Sequence, residues 1–219
     1  MDSRSERSGS LLAGVGAIAF GVVTVVAVTV VNAPGGNYDA STVANFVARG
    51  HAVAAIVATH LALLGVLGLI CLVAQLRDAL PESRRAGSIV WGTGIAAAAS
   101  FAIGWGVVGG QVLAHLEGGS RIVIPAPVTY LISEVGVLFI FGSGAILLGF
   151  ALIVFALNAR TVFPAWLRRL TLVAGVCGVA GLAFFTFFAL MFLLAVVGVW
   201  LVATARRSAV PAVATQPSA

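Results

Sequence analysis

The feature that most constrains this chain is a series of long apolar runs without a charged side chain. Leu11 to Val31 is one such run, and the 36 residues from 170 to 205 form another. A bilayer core about 30 Å thick takes about 20 apolar residues to cross as a helix. Charged residues make up only 9% of the chain, against roughly 25% in a soluble domain. We therefore expect an integral membrane protein whose first partner is the lipid bilayer.

The runs indicate helices, because the strands of a membrane β-barrel alternate polar and apolar residues over about 10 positions and these runs are continuous. The predicted fold class is all-α, a polytopic transmembrane bundle of six helices in one domain, 1–207. Cutting the runs at charges, prolines and glycine clusters places the spans at about 11–31, 51–75, 88–115, 128–157, 166–184 and 187–205. The remaining residues, 208–219, are rich in Ala, Pro and Ser and are predicted to form a disordered tail.

The last apolar run is divided into two spans because of its length. As one helix it would reach about 54 Å at 1.5 Å per residue, which is too long for the bilayer core even when tilted. Two shorter helices joined by a turn near Phe184 to Phe188 fit the bilayer better.

The arginines predict the orientation, since cytoplasmic loops carry an excess of basic residues. All twelve basic residues are arginine. With the N-terminus inside, only Arg49 and Arg121 fall in outer segments. The pattern requires an even number of spans and places both termini in the cytoplasm of a multi-pass cell-membrane protein, with the bacterial plasma membrane the expected one. Because the arginines form no single patch, we expect no nucleic-acid partner.

Small residues predict where helices touch, since membrane helices associate through close contact at Gly, Ala and Ser. They recur every four positions along the third span, at Gly92, Ala96, Ser100 and Gly104. A similar stripe in the fourth span consists of Gly142, Ala145 and Gly149. Both stripes are predicted to face neighbouring helices, and ordinary bundle packing is the favoured interpretation over a dimerisation motif.

Polar residues inside spans are costly and commonly face an interior or a cavity. At 100° per residue, Glu134 falls near the face of the second stripe, and the predicted topology puts it in the outer half of the membrane with three other polar side chains. We consider a shared polar pocket that opens outward, formed by Glu134, His60, Gln111 and His115. The alternative is hydrogen bonding between helices without a ligand.

No motif for catalysis, metal binding or phosphate binding occurs in the sequence. A haem would need two histidines on facing helices, and only His60 and His115 could supply them. Cys71 and Cys177 lie inside apolar runs and are expected to behave as small buried hydrophobes. We predict no catalytic residue, no metal site and no cofactor.

Two stretches carry a resemblance to a known family. One is Gly35 to Phe46, where the first loop enters the second helix, and the other is Phe163 to Leu167, continued by Leu170 to Gly175. In layout the chain resembles a bacterial six-helix membrane family catalogued only as a domain of unknown function. The resemblance implies the six-helix topology and adds no catalytic residue.

These observations leave three functional hypotheses. The first is a non-enzymatic structural, partner-binding or accessory bundle, with other membrane proteins or further copies of the chain as partners. The second is a small proton-linked carrier or channel component that uses the polar pocket. The third is a haem or quinone redox protein.

Overall fold

A computed structural model describes residues 3–80, 82–119, 124–181 and 184–207, and within these ranges all regular structure is helical. The predicted all-α class is confirmed. The helices are α1 (Ser3–Val31), α2 (Ala40–Phe46), α3 (Arg49–Asp78), α4 (Arg84–Gly118), α5 (Ala126–Val137), α6 (Ala145–Asn158), α7 (Ala165–Val179) and α8 (Phe184–Arg207). A π-helical segment, Leu138–Gly144, joins α5 to α6, so that one continuous rod runs from 126 to 158. The tail predicted at 208–219 lies outside the described residues.

Five helices among the described residues are long and apolar enough to cross a membrane, which agrees with an integral, multi-pass membrane protein. They are Ser8–Val31, Gly50–Asp78, Arg84–Gly118, Ala126–Asn158 and Phe185–Arg207. Helix α7 differs, because its 15 residues reach only about 22 Å at 1.5 Å per residue. That length is shorter than the bilayer core.

The interruption of the last apolar run occurs earlier than predicted. Helix α7 ends at Val179 and α8 begins at Phe184, so the predicted turn at Phe184 to Phe188 falls inside α8. The last turn tightens at Gly181, whose backbone N–H donates to the carbonyl oxygen of Gly178 at 2.9 Å. An added Cβ at Gly181 would lie 2.7 Å from the side chain of Ala145 and 2.8 Å from the carbonyl oxygen of Phe141. Only a residue without a side chain fits so close to the neighbouring rod.

The helices close into a ring. Helix α1 packs against α3 and α8, α3 packs on α4, α4 on the α5–α6 rod, α6 on α7, and α7 on α8. Aromatic side chains fill the middle, where Phe101 contacts Phe20 at a ring-centroid distance of 5.1 Å and Phe187 contacts Phe141 at 4.3 Å. The ring therefore encloses a packed apolar core.

Glycines bring neighbouring helices into backbone contact, as expected where no hydrophobic effect drives association in lipid. An added Cβ at Gly16 would lie 2.6 Å from the carbonyl oxygen of Gly68, and one at Gly149 would lie 2.5 Å from that of Gly175. Gly149 thus packs as its stripe predicts, and Gly142 and Ala145 are also buried.

The stripe predicted on the third span is not one packing surface. Ser100 and Gly104 are buried, whereas Gly92 and Ala96 are exposed on α4, and an added Cβ at Gly92 would meet nothing within 4 Å. A four-residue step overshoots a helical turn by about 40°. Three such steps separate Gly92 from Gly104 by about 120°, so these two residues cannot face the same neighbour.

Arginines collect at one end of the bundle, which we call the arginine end. It comprises the start of α1, the end of α3, the start of α4, the α6–α7 connection and the end of α8, and its arginines are Arg4, Arg7, Arg77, Arg84, Arg85, Arg160, Arg168, Arg169, Arg206 and Arg207. The guanidinium of Arg77 on α3 lies 5.5 Å from the ring centre of Trp91 on α4, and Phe163 in the α6–α7 connection contacts Trp200 on α8 at a ring-centroid distance of 5.0 Å. The first loop, α2 and the start of α5 lie at the opposite end.

Candidate functional site

The four side chains of the predicted polar pocket fall into three places. Gln111 and His115 lie together between α4 and α5. Glu134 lies on the neighbouring face of α5, toward the loop between α1 and α2. His60 is exposed on α3, where its Nδ1 lies 2.8 Å from the carbonyl oxygen of Ile56 in its own helix. The structure therefore brings these residues to the same end of the bundle without joining them in one pocket.

Gln111 is the centre of a buried hydrogen-bond network between α4 and α5. Its Nε2 donates to the carbonyl oxygen of Thr129 at 2.5 Å, and its Oε1 accepts from the hydroxyl of Ser133 at 2.8 Å. The Nδ1 of His115 lies 2.9 Å from the carbonyl oxygen of Gln111 itself. Both the nitrogen and the oxygen of the Gln111 amide bond to α5. The network therefore holds the two helices together, and the amide has little hydrogen-bonding capacity left for a ligand.

Glu134 fastens the first loop to α5. Its Oε1 accepts from the backbone N–H of Gly36 at 2.6 Å and lies 2.8 Å from the hydroxyl of Tyr130, one turn earlier. The Tyr130 hydroxyl is also within hydrogen-bonding reach of the carbonyl oxygen of Gly36. We call Gly36, Tyr130 and Glu134 the loop latch.

Local sequence explains why the loop can reach α5. Gly36 has a φ of +76°, a conformation that glycine adopts without steric cost. Beyond it, Asp39 caps α2 by accepting from the backbone N–H groups of Ser41 and Thr42, and hydrogen bonds from the Ser41 and Thr42 hydroxyls lower the pKa of Asp39 to about 2. The loop is thereby fixed to α5 at Gly36 and to the start of α2 at Asp39.

A second tie at this end involves a histidine outside the predicted pocket. The Nε2 of His51, near the start of α3, lies 2.8 Å from the carbonyl oxygen of Val31. Val31 is the last residue of α1, and its carbonyl has no partner within the helix. His51 therefore satisfies the end of α1.

A cavity of about 680 Å³ opens beside the loop latch, between α1, α4 and the α5–α6 rod. We call it the rim cavity. Its lining is mainly apolar and comprises Val28, Thr29, Val31, Asn32, Ala33, Gly35, Gly36, Trp105, Val108, Glu134, Val137, Leu138, Ile140 and Phe141. The exposed Thr29, Asn32 and Leu138 mark the side on which it is open. Its size and lining are those of a small-molecule site.

The short hairpin of α7 and α8 explains why this space is empty of protein. Gly181, at the end of α7, reaches the level of Phe141 on the rod. On the other side, α8 packs against α1 with Gly198 beside Gly14 and Met191 beside Gly21. That antiparallel register places the start of α8 level with Val28, where the cavity lining begins on α1. From this level to the end opposite the arginine end, no helix among the described residues lies between α1 and α5.

Trp105 is a buried aromatic residue in the cavity wall. Its side chain is 1% exposed, and its indole N–H is buried without a hydrogen-bond partner among the described residues. A buried donor without a partner costs roughly 1–3 kcal/mol. Gly104, its chain neighbour, packs against Gly136 and Ile140, so Trp105 lies deeper in the bundle than Glu134.

Within the described part of the chain, no cluster of three or more His, Cys, Asp or Glu could hold a metal ion. Comparison of the chain with family models, with curated proteins and with solved structures finds no match. The candidate site is therefore defined by its own geometry. It consists of the rim cavity, the carboxylate of Glu134 and the Trp105 side chain in the cavity wall.

Sequence reasoning selected Glu134 and missed the rest of this site. Trp105 had one available signal, since it is a tryptophan in the middle of a span, where that residue is uncommon compared with the membrane interfaces. Tyr130 and Gly36 had a weaker one: a tyrosine four residues before a carboxylate can share its helix face. No local pattern indicates that the first loop returns to α5.

Proposed function

We propose that this chain is a non-catalytic membrane protein that binds an apolar or amphipathic molecule from the bilayer in the rim cavity. The observation that carries the proposal is the cavity itself, about 680 Å³ with mainly apolar walls. An apolar space of that volume favours a hydrocarbon chain over water, because a water molecule in a cavity needs polar partners that these walls largely lack. Its open side, between α1 and α5, gives the bilayer access.

The proposal includes six spans, with α7 as a short fifth one and both termini in the cytoplasm of a bacterial plasma membrane. The arginine end supports this orientation through the preference of basic residues for the cytoplasmic side. A span of 15 residues is accommodated by local thinning of the bilayer. The same proposal includes membership of this chain in the bacterial six-helix family of unknown function that it resembles.

Orientation is tested with two matched cysteine variants, Glu117→Cys and Glu82→Cys, in a background where both native cysteines are replaced by alanine. Glu117 and Glu82 are both exposed and lie at opposite ends of α4. An impermeant thiol reagent applied to intact cells should label the first variant and leave the second unlabelled until the cells are opened. The reverse pattern would place the arginine end outside.

An accessory bundle that acts through other membrane proteins is the second candidate. The Gln111 network favours it, since its polar groups serve contact between helices. The proton-linked carrier loses a component it relied on, because His60 is exposed and bonded to its own helix.

Ligand binding is tested by photo-crosslinking in lipid nanodiscs with a neutral probe, a long-chain alcohol that carries a diazirine on its alkyl chain. Crosslinks should concentrate on 28–36 and 134–141, the segments of α1, the first loop and the rod that line the cavity. Val137→Phe should reduce them severalfold, because Val137 lines the cavity and phenylalanine fills part of it. Val135→Phe is the matched control, since Val135 is 49% exposed on the outer face of the same helix.

Crosslinks spread evenly over outward-facing residues would contradict ligand binding, as would equal labelling of the two phenylalanine variants. The accessory bundle would then be the better supported function.

A further inference from the structure

Resting on the proposed binding function, we propose that the occupant of the rim cavity carries an ammonium head group bound by Glu134, with its chain running past Trp105. The bundle thereby selects amphipathic amines over alcohols and acids of the same chain length. Charge, unused hydrogen-bonding capacity and depth each support this assignment.

Charge selects the head group. Among the residues that line the cavity, Glu134 is the one with an ionisable side chain. An anionic head group would meet this carboxylate with no basic side chain among the lining residues to balance it. A cation gains from the same carboxylate, and the gain grows as the surroundings become less polar.

The bonding of Glu134 leaves room for a cation. The loop latch uses Oε1, which receives both the Gly36 N–H and the Tyr130 hydroxyl. Both donors are neutral, and Oε2 receives no hydrogen bond from the described residues. A carboxylate in an apolar setting is costly without a counter-charge. An ammonium on Oε2 would complete the site and leave the latch in place.

Depth sets the direction of the bound molecule. Glu134 lies toward the end opposite the arginine end, and Trp105, which also lines the cavity, lies deeper. The head group therefore lies at the rim, and the apolar chain runs inward along the Trp105 side chain. A long-chain amine has this form, and so does a phospholipid with an ethanolamine head group. The shared chemistry is an ammonium on an apolar chain.

The test uses three diazirine probes with one alkyl chain and different head groups, namely an amine, an alcohol and a carboxylate. In nanodiscs of phosphatidylcholine, the amine should label the cavity segments at about a tenfold lower concentration than the alcohol. Both head groups can donate a hydrogen bond to the carboxylate, but only the ammonium adds a charge–charge attraction, and tenfold corresponds to about 1.4 kcal/mol. The carboxylate probe should label them least. Glu134→Gln keeps an oxygen for the latch and removes the charge, so it should bring amine labelling of the cavity segments down to the level of alcohol labelling in the same variant.

Tyr130→Phe separates charge from loop anchoring. It removes one donor from the latch and keeps the carboxylate, so the amine preference should persist. Loss of the preference in Tyr130→Phe to the same extent as in Glu134→Gln would show that the latch, and not the charge, selects the probe, and it would overturn the assignment.

The two proposals fail in different ways. If the alcohol labels the cavity and the amine has no advantage, the ammonium assignment is wrong and the binding function stands. If no probe labels the cavity, both are wrong. Nanodiscs that contain phosphatidylethanolamine distinguish the source of the head group. Reduced amine labelling relative to phosphatidylcholine nanodiscs, which have the same net charge, identifies a lipid head group, and equal labelling identifies a free amine. Either result supports ammonium recognition.

Discussion

A single methyl group at Gly149 would test whether the bundle depends on backbone contact between helices. An added Cβ there would lie 2.5 Å from the carbonyl oxygen of Gly175 and 2.6 Å from the backbone nitrogen of Val179. Ordinary van der Waals contact begins at about 3.4 Å, so α7 would have to withdraw from the rod by about 0.9 Å. The atoms in the way belong to backbone and cannot rotate aside.

The magnitude follows from a matched comparison with Gly92→Ala. Both glycines lie inside helices, so both variants gain the same helix propensity, about 0.8–1.0 kcal/mol. Only Gly149→Ala pays for overpacking, typically about 1–3 kcal/mol, because an added Cβ at Gly92 meets nothing within 4 Å. The difference between the two variants should be about 2 kcal/mol, or roughly 4–8 °C in Tm for a chain of this size.

Thermal unfolding in detergent measures that difference with a dye that becomes fluorescent on reaction with thiols. Cys71 and Cys177 are free and partly buried, and they lie on α3 and α7, so their reaction reports loss of packing on two sides of the ring. Equal Tm values for the two alanine variants would refute the reasoning. So would a lower Tm for Gly92→Ala than for Gly149→Ala.

Two further predictions concern the end opposite the arginines. Gln111→Leu should lower the free energy of unfolding by about 0.5–2 kcal/mol, the range for hydrogen bonds between membrane helices. His60→Leu should have no measurable effect on the same quantity. Equal effects of the two variants in SDS titrations would contradict the separation of these two residues. The pKa of Asp39 lies at about 2, below its ordinary value of 3.8, so its cap on α2 should be fully present above about pH 4 and lost as the pH falls toward 2. NMR shifts of α2 should follow that titration in the native chain and show no such step in Asp39→Asn.

The helices were predictable where local chemistry decides them. Uncharged runs set the long helices, and Asp39 caps α2 because aspartate is a residue type that commonly caps helices. The same holds for the pairing of Gln111 with His115, four residues apart on one helix face. These features depend on residues close in sequence, and the sequence therefore contains the information directly.

The candidate site was less predictable because distant segments create it. The rim cavity exists where the α7–α8 hairpin stops, and its position depends on the register of α8 on α1, which no local pattern encodes. Gly181 is a weak signal for a helix end, because the run around it is uniformly apolar. Likewise, the loop latch joins Gly36 to a residue 98 positions later.

The π-helical segment has a consequence for chain length. Leu138–Gly144 lies between two faces of one rod that serve different neighbours: Gly149 touches α7, and Glu134 holds the first loop. A turn with an additional residue rotates everything before it by about 100° relative to everything after it. A relative of this chain that aligns with a one-residue gap inside 138–144 is therefore expected to keep its glycine contact and to turn its carboxylate away from the loop. In this span, an insertion or deletion would change the direction in which the Glu134 carboxylate points, even though Glu134 itself is unchanged.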